Sequence, residues 1–524
     1  MRYRLRSHIF MAAWVACGLT TLGARGQAAV PDYADMSLEQ LMKLEVTSAA
    51  KRPESIVNTP AAVYVLTSED IRRMGARSVP EALRMVPGLN VAQITAGVWA
   101  ISARGFNSRF ANKLLVLVDG RSVYTPLFSG MYWDRQDALL ENIERIEVIR
   151  GPGAALWGAN AVNGVINIIT KHSRDTQGTH LSAGAGTGDE LRGTVRHGAT
   201  LGDEGYYRVH GTAFSVGSRE NSDGTAGSDD WRSGQSGFRL DLKDSDGGDW
   251  QVQGGTLRTV VGDSLTRPSL SAPYSSTQSV DANVESSYLL SSWGQDLGPG
   301  ERLELRTSFQ HERYDDPRLE QERSTVDVEA THRFRIGERQ QVVWGIGGRY
   351  SQDDIYSSSQ FIFEPESDDQ YLVTAFAQDT LMLWAGAVEF TFGSKFEYNN
   401  YTGIEVQPNA RALWHVNDRH TVWAAVSRAV RTPSRAENDV ELVAAIAPPS
   451  TSTGGLPTEI RYVGSRSTVS EELLSLEAGH RWQAADNLSF DLAAFYNFYD
   501  RLTSASVGQT YFSTAGGTPL SHRT

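Results

Sequence analysis

The sequence predicts a mostly β chain, with a small N-terminal α+β domain followed by a long antiparallel sheet of membrane-barrel character. Three observations carry that prediction. In Ile143–Lys171 two β-prone runs are separated by Gly151, Gly153, Gly158 and Gly164, so the chain must turn sharply there. From about Thr179 onward polar and apolar residues alternate with period two, as in half-buried strands. The chain opens with a basic start and an apolar run from Ile9 to Leu22, the pattern of a secretory signal.

Composition narrows the class. Hydrophobic residues make up 40% and mean hydropathy is −0.34, so a bundle of membrane helices is excluded. Apolar runs after the leader, such as Leu381–Val388, fall far short of the roughly 20 residues a spanning helix needs. A membrane barrel hides its lipid-facing residues by alternation, so low mean hydropathy is compatible with one. Net charge is −13, which argues against nucleic acid as partner. The single cysteine, Cys17, lies in the leader, so the exported chain has no disulfide and no cysteine metal site.

Residues 1–28 are expected to be the signal peptide and residues 29–60 a polar linker. Within the linker, Leu44, Glu45, Val46, Thr47 and Ser48 form an extended, β-branched stretch, suited to adding a strand to a partner's sheet edge. Residues 61–171 read as the α+β domain. Thr67 with Asp70, and Ser78 with Glu81, have capping-box spacing and open two short helices, the second stopped by Pro87-Gly88. Leu114–Asp119 and Arg121–Tyr124 flank Asp119-Gly120, a pair suited to a tight hairpin.

Residues 179–524 read as about 16 strands. Short turns recur, as at Ser245–Gly248 and Gly337–Arg339. Longer polar segments, at Ser218–Trp231, Arg258–Gln278, Ser357–Asp369 and Thr432–Thr468, are expected as loops at the other end. That asymmetry is the mark of an outer-membrane barrel.

No catalytic constellation is present, so an enzyme is not expected. Gly153 and Gly158 have half of a phosphate-loop spacing, but Ala159-Asn160 stand where Lys and Ser/Thr are required. The acid pairs Asp353-Asp354 and Asp368-Asp369 read as solvated loop charge, without the ligand spacing of a calcium site.

Ile146-Glu147-Val148-Ile149-Arg150-Gly151-Pro152, then Trp157-Gly158-Ala159-Asn160-Ala161, then Gly164-Val165-Ile166-Asn167-Ile168-Ile169-Thr170-Lys171 closely resemble the end of the plug domain of TonB-dependent outer-membrane receptors. Arg104-Gly105-Phe106, Val118-Asp119-Gly120 and Leu474–Gly479 extend the resemblance. It implies a plug inside a transmembrane barrel, with outer-membrane lipid around it and no cofactor of its own. Residues 44–48 would then be the coupling box for TonB and its inner-membrane energy complex. Arg104 and Arg150 would lock the plug to barrel glutamates, Glu477 among them. A siderophore-like ligand would meet Gln93, Trp99, Phe128, Tyr132 and Trp133, although these side chains serve equally well as plug core. The expected cargo is an iron–siderophore complex; cobalamin, a saccharide or another metal chelate is the alternative. About 16 of the roughly 22 strands of such barrels are accounted for. A truncated, non-functional receptor and a passive porin-like barrel are therefore further alternatives.

Overall fold

The computed structural model describes residues 45–523, apart from 136–138, 189, 509 and 516–517. The expected signal segment, residues 29–44 of the expected linker, and Leu44 with them, lie outside the described residues.

The plug begins with β1 (Glu45–Val46) paired to β2 (Glu54–Ser55). It continues with β3 (Ala62–Thr67), α1 (Ser68–Arg73), α2 (Val79–Leu83), β4 (Leu89–Gln93), β5 (Trp99–Ala103), β6 (Leu114–Val118) and β7 (Arg121–Ser122). β8 (Ile143–Arg150), α3 (Ala154–Trp157) and β9 (Gly164–Thr170) complete it. Its main sheet runs β3-β8-β9-β6-β7, and only β6 and β9 are parallel within it. Thr67 caps α1: Asp70 N donates to its hydroxyl at 3.1 Å, and Thr67 N donates to the Asp70 carboxylate at 3.0 Å. α2 ends at Leu83, before Pro87-Gly88. The Glu81 carboxylate does not complete a capping box there, because Arg77 N and its guanidinium claim it. Asp119 and Gly120 both take positive φ, 49° and 78°, as the β6–β7 turn requires.

The plug sheet is buried on both faces. Leu66, Val116, Ile146, Val148, Ile166 and Ile168 pack on one face, and Val63, Leu115, Leu117, Ile149 and Val165 on the other. The second face is covered by Val46 and Ala49. Residues 45–60 therefore belong to the plug rather than to a free linker. Without them a strip of branched aliphatic side chains would meet water, at about 1.5–3 kcal/mol per side chain.

Among the described residues fifteen antiparallel strands form the wall, against about 16 expected from the sequence. It starts with Gly178–Gly186, Glu190–Leu201, Gly205–Val216, Trp231–Lys243 and Asp249–Pro268. Ser275–Gly298, Glu301–Asp316, Leu319–Ile336, Gln340–Tyr356 and Ser367–Leu383 follow. Val388–Asn399, Gly403–Asn417, His420–Arg431, Glu471–Ala485 and Leu488–Asp500 end it. Among the described residues the first strand pairs only with the second, and the last only with the fourteenth. In His420–Arg431, Thr421, Trp423, Ala425 and Ser427 are buried, while Val422 and Val426 face outward and are exposed. That alternation puts apolar side chains on the lipid side. Trp250, Trp344, Trp414 and Trp482, all outward and near the short turns, supply the aromatic belt such walls carry.

Three expectations are corrected. Thr432–Thr468 is not loop throughout, since it carries a helix at Arg435–Asp439 and paired strands at Val440–Ala447 and Thr458–Val463. Arg258–Gln278 is not a loop. The strands run on to Pro268 and resume at Ser275, because polar residues on a projecting hairpin still satisfy each other's backbone groups. Asp353 and Asp368 are strand partners rather than loop residues, and Asp353 is buried against Arg435.

Candidate functional site

Several wall strands hold the plug, and Glu471–Ala485 presents one whole face to it. In Glu471–Ala485 the side chains at 471, 477 and 481 share a face and reach the plug. Glu471 pairs with Lys113 at 2.5 Å and also with the wall's own Arg431 at 2.9 Å. Glu477 accepts from Arg104 Nη2 at 2.5 Å, with both side chains buried. Arg481 donates to the carbonyls of Val57, Thr59 and Ala61. The neighbouring strand adds Phe495, whose ring lies 4.2 Å from the Arg104 guanidinium, and Tyr499, which donates to Asn163 at 2.7 Å.

Arg104 can reach Glu477 because Gly151 lets the backbone pass beneath the pair. A Cβ at Gly151 would sit 2.5 Å from the Glu477 carboxylate, and φ there is +139°. Among the described residues Arg150 pairs with no glutamate. Its Nη1 donates to the Pro87 carbonyl at 2.9 Å, and its own carbonyl accepts from Arg104. With Arg104 already on Glu477, Arg150 braces the plug instead of the wall.

A second attachment lies at the loop end. Asn160 N donates to the Val430 carbonyl, and Thr432 N donates to the Asn160 side chain. Arg435 N and Ala436 N donate to the carbonyls of Pro126 and Leu127. Leu127 is fully buried among Val284, Ile355, Phe363 and Val440 from the wall and its loops.

The expected ligand residues divide. Trp99 and Trp133 are plug core. Gln93 pairs with Trp99 across β4–β5, and its amide donates to the Ala96 carbonyl. Phe128 and Tyr132 come together on Phe110, at 5.1 and 5.3 Å between ring centroids. Arg135 stacks on Tyr132 and pairs with Glu312 of the wall at 2.9 Å. Sequence reasoning missed Phe110, Lys113, Arg135 and Arg481. The period-two spacing of Arg481 from Glu477 was the available signal for the last.

The described part of the expected coupling stretch, residues 45–48, is docked. Glu45 is exposed, but Val46 and Ser48 are buried. Thr47 N and Ser48 N donate to the Glu147 carboxylate at 3.0 and 2.8 Å. The Ser48 carbonyl accepts from Trp157 at 2.7 Å. Lys51 follows, paired with Glu329 of the wall at 2.7 Å and placed over the Trp157 and Phe376 rings. Burial pulls the Lys51 ammonium down to about 8, with Glu329 opposing the shift.

Next to Lys51 a cavity of about 200 Å³ separates the plug from the wall. Trp157, Tyr124, Arg306, Glu329, Lys395 and Glu397 are among its lining residues. Among the described residues no cluster of three or more His, Cys, Asp or Glu could hold a metal ion.

A stopper pinned inside an antiparallel wall, with residues 45–52 packed against it, is the architecture of a plugged outer-membrane barrel. Residues 55–165 match the TonB-dependent receptor plug domain, and residues 171–520 match the TonB-dependent receptor-like β-barrel. The chain belongs to the TonB-dependent receptor family, a family of outer-membrane β-barrels rather than enzymes. It is similar to the vitamin B12 transporter BtuB of Vibrio cholerae, 31% identical over 177 residues, which is 34% of this chain and 28% of that protein. It is also similar to the iron-regulated outer membrane virulence protein of Vibrio cholerae, 28% identical over 484 residues, covering 87% of this chain and 69% of that one. Among solved structures, the siderophore receptor PirA from Acinetobacter baumannii superimposes with a TM-score of 0.69 at 19% identity, over 90% of this chain and 76% of that one. A point mutant of the ferric enterobactin receptor PfeA from Pseudomonas aeruginosa gives 0.69 at 20% identity, over 88% and 75%.

Proposed function

We propose that the chain serves active, TonB-coupled uptake of a scarce bulky ligand, an iron–siderophore complex. One observation carries this reading: Glu45–Arg52 is at once a cover for the plug sheet, through Val46, and a neighbour of the plug–wall cavity, through Lys51 and Trp157. A pull on the exposed end at Glu45 therefore loosens the plug and unseals the cavity together. Residues 45–48, with Leu44 before them, are the segment TonB would grip. Arg104 and Glu477 would keep the rest of the plug on the wall meanwhile. Phe110, Phe128 and Tyr132 offer an aromatic surface to a chelate.

The test is uptake of ⁵⁵Fe-enterobactin and other ferric chelates by a host lacking its own receptors, with and without TonB. Uptake that needs both TonB and residues 44–48 supports the reading. Uptake unchanged by deleting residues 44–48 overturns it in favour of a passive barrel. Cobalamin is the second reading, favoured by the match to the B12 transporter, and labelled cyanocobalamin in the same host decides between them.

A further inference from the structure

A smaller cavity of about 90 Å³ lies on another side of the plug, and its lining is charged with one sign only. Arg121 and Arg135 come from the plug, and Arg208 and His210 from the wall; among the described residues no Asp or Glu lines it. The three arginines are 6%, 2% and 2% exposed. Arg121 Nε, Arg135 Nε, Arg208 Nε and His210 Nδ1 are all buried without a hydrogen-bond partner among the described residues.

Several of their other nitrogens are held by neighbours. Arg121 Nη1 donates to Gln310 at 2.7 Å, and its guanidinium lies 4.1 Å from the Tyr288 ring. Arg208 donates to the Thr170 hydroxyl at 3.0 Å and to the Lys171 carbonyl. Arg135 holds Glu312. Asp119, outside the lining, acts on both Arg121 and Arg208 through its charge but makes its hydrogen bonds with Thr170 and Gln253, at 2.8 Å each. Arg135 is thus balanced, but neither Arg121 nor Arg208 has an ion pair among the described residues. Burial draws the Arg121 guanidinium below its ordinary value. Water in the cavity could satisfy the N–H groups but would not supply the second negative charge that two buried cations beside one carboxylate call for, and an uncompensated buried charge is strongly unfavourable.

We infer that Arg121, Arg135, Arg208 and His210 form an internal site for one small oxyanion, a phosphate or a carboxylate group. Forked guanidinium donors suit either. The site adjoins the larger cavity, with which it shares Arg135 and Ser286. Its occupant is therefore either a resident inorganic ion or an anionic group of a passing ligand. The inference does not rest on the uptake reading.

The test is equilibrium dialysis of the detergent-solubilised full chain against ³²P-orthophosphate at constant chloride ionic strength. One saturable site is expected, weakened at least tenfold in Arg208→Gln and in Arg121→Gln. Arg258→Gln, which removes an exposed cation paired with Glu285, should bind like the parent. Arg208→Lys guards against misfolding, since it keeps the charge but loses the Nε donor, and should fall between parent and Gln variant. Phosphate released on denaturing protein purified without phosphate identifies a resident ion. An empty site that fills on dialysis, and from which acetate displaces phosphate, identifies one open to a ligand's anionic group. Either result upholds the site. Absence of saturable binding, or equal binding by the parent and both Gln variants, overturns it.

Discussion

The two sides of the plug are built differently. Toward Glu471–Ala485, inward polar side chains end directly on plug groups: Glu471 on Lys113, Glu477 on Arg104, Arg481 on three carbonyls. Toward the strands between Glu301 and Tyr356, a cavity lies along much of the boundary and is crossed by polar bridges such as Arg121–Gln310, Lys51–Glu329 and Arg135–Glu312. One side is a mount and the other a seam. A stopper mounted on one side can move at the other without leaving its wall.

The largest expected effect is on the mount. Glu477→Ala leaves the Arg104 charge buried and unpaired, at about 3–5 kcal/mol. The urea midpoint for protease access to the plug in outer-membrane fractions should fall steeply; an unchanged midpoint would place the mount elsewhere. Arg481→Ala orphans three carbonyls and should cost about 3 kcal/mol in the same assay, at about 1 kcal/mol or more for each lost charged bond. On the seam, Lys51→Ala should leave that midpoint nearly untouched. It should instead raise protease cleavage near residue 50, several-fold, because one buried bridge and two ring contacts are lost. Equal loss at both sites would erase the distinction between mount and seam.

A smaller effect comes from pH. Lys51 docked gives up its proton near 8, whereas in the released segment it holds it to about 10.4. The released form binds more protons in that window, so docking strengthens as pH rises through it. Hydrogen exchange at residues 47–50, corrected for intrinsic rates, should slow between pH 8 and 10, and Lys51→Met should abolish the trend.

Much of this was legible in the sequence because local chemistry agreed with the fold. The glycines around Arg150, the Asp119-Gly120 turn and the alternation of His420–Arg431 each impose a backbone shape by themselves. What was hidden depends on partners far along the chain. Val46 reads as a loose β-branched residue until Leu115, Ile149 and Val165 converge beneath it. Trp99 and Trp133 have the composition of a ligand grip, and only the helices packed over them make them core. Arg150 stands in the expected motif, but among the described residues its guanidinium meets the Pro87 carbonyl, a contact that spacing alone does not reveal. The stretch Arg258–Gln278 looked like loop because hairpins that rise into water need no apolar face.

The bonds from Asn160 to Val430 and Thr432, and from Pro126 and Leu127 to Arg435 and Ala436, sort the long external excursion into two kinds of sequence. Its first few residues are stitched to the stopper's main chain and cannot drift without disturbing it. From Glu441 onward the excursion touches the stopper through no such stitch among the described residues, so new surface chemistry can be tried there while the interior stays as it is.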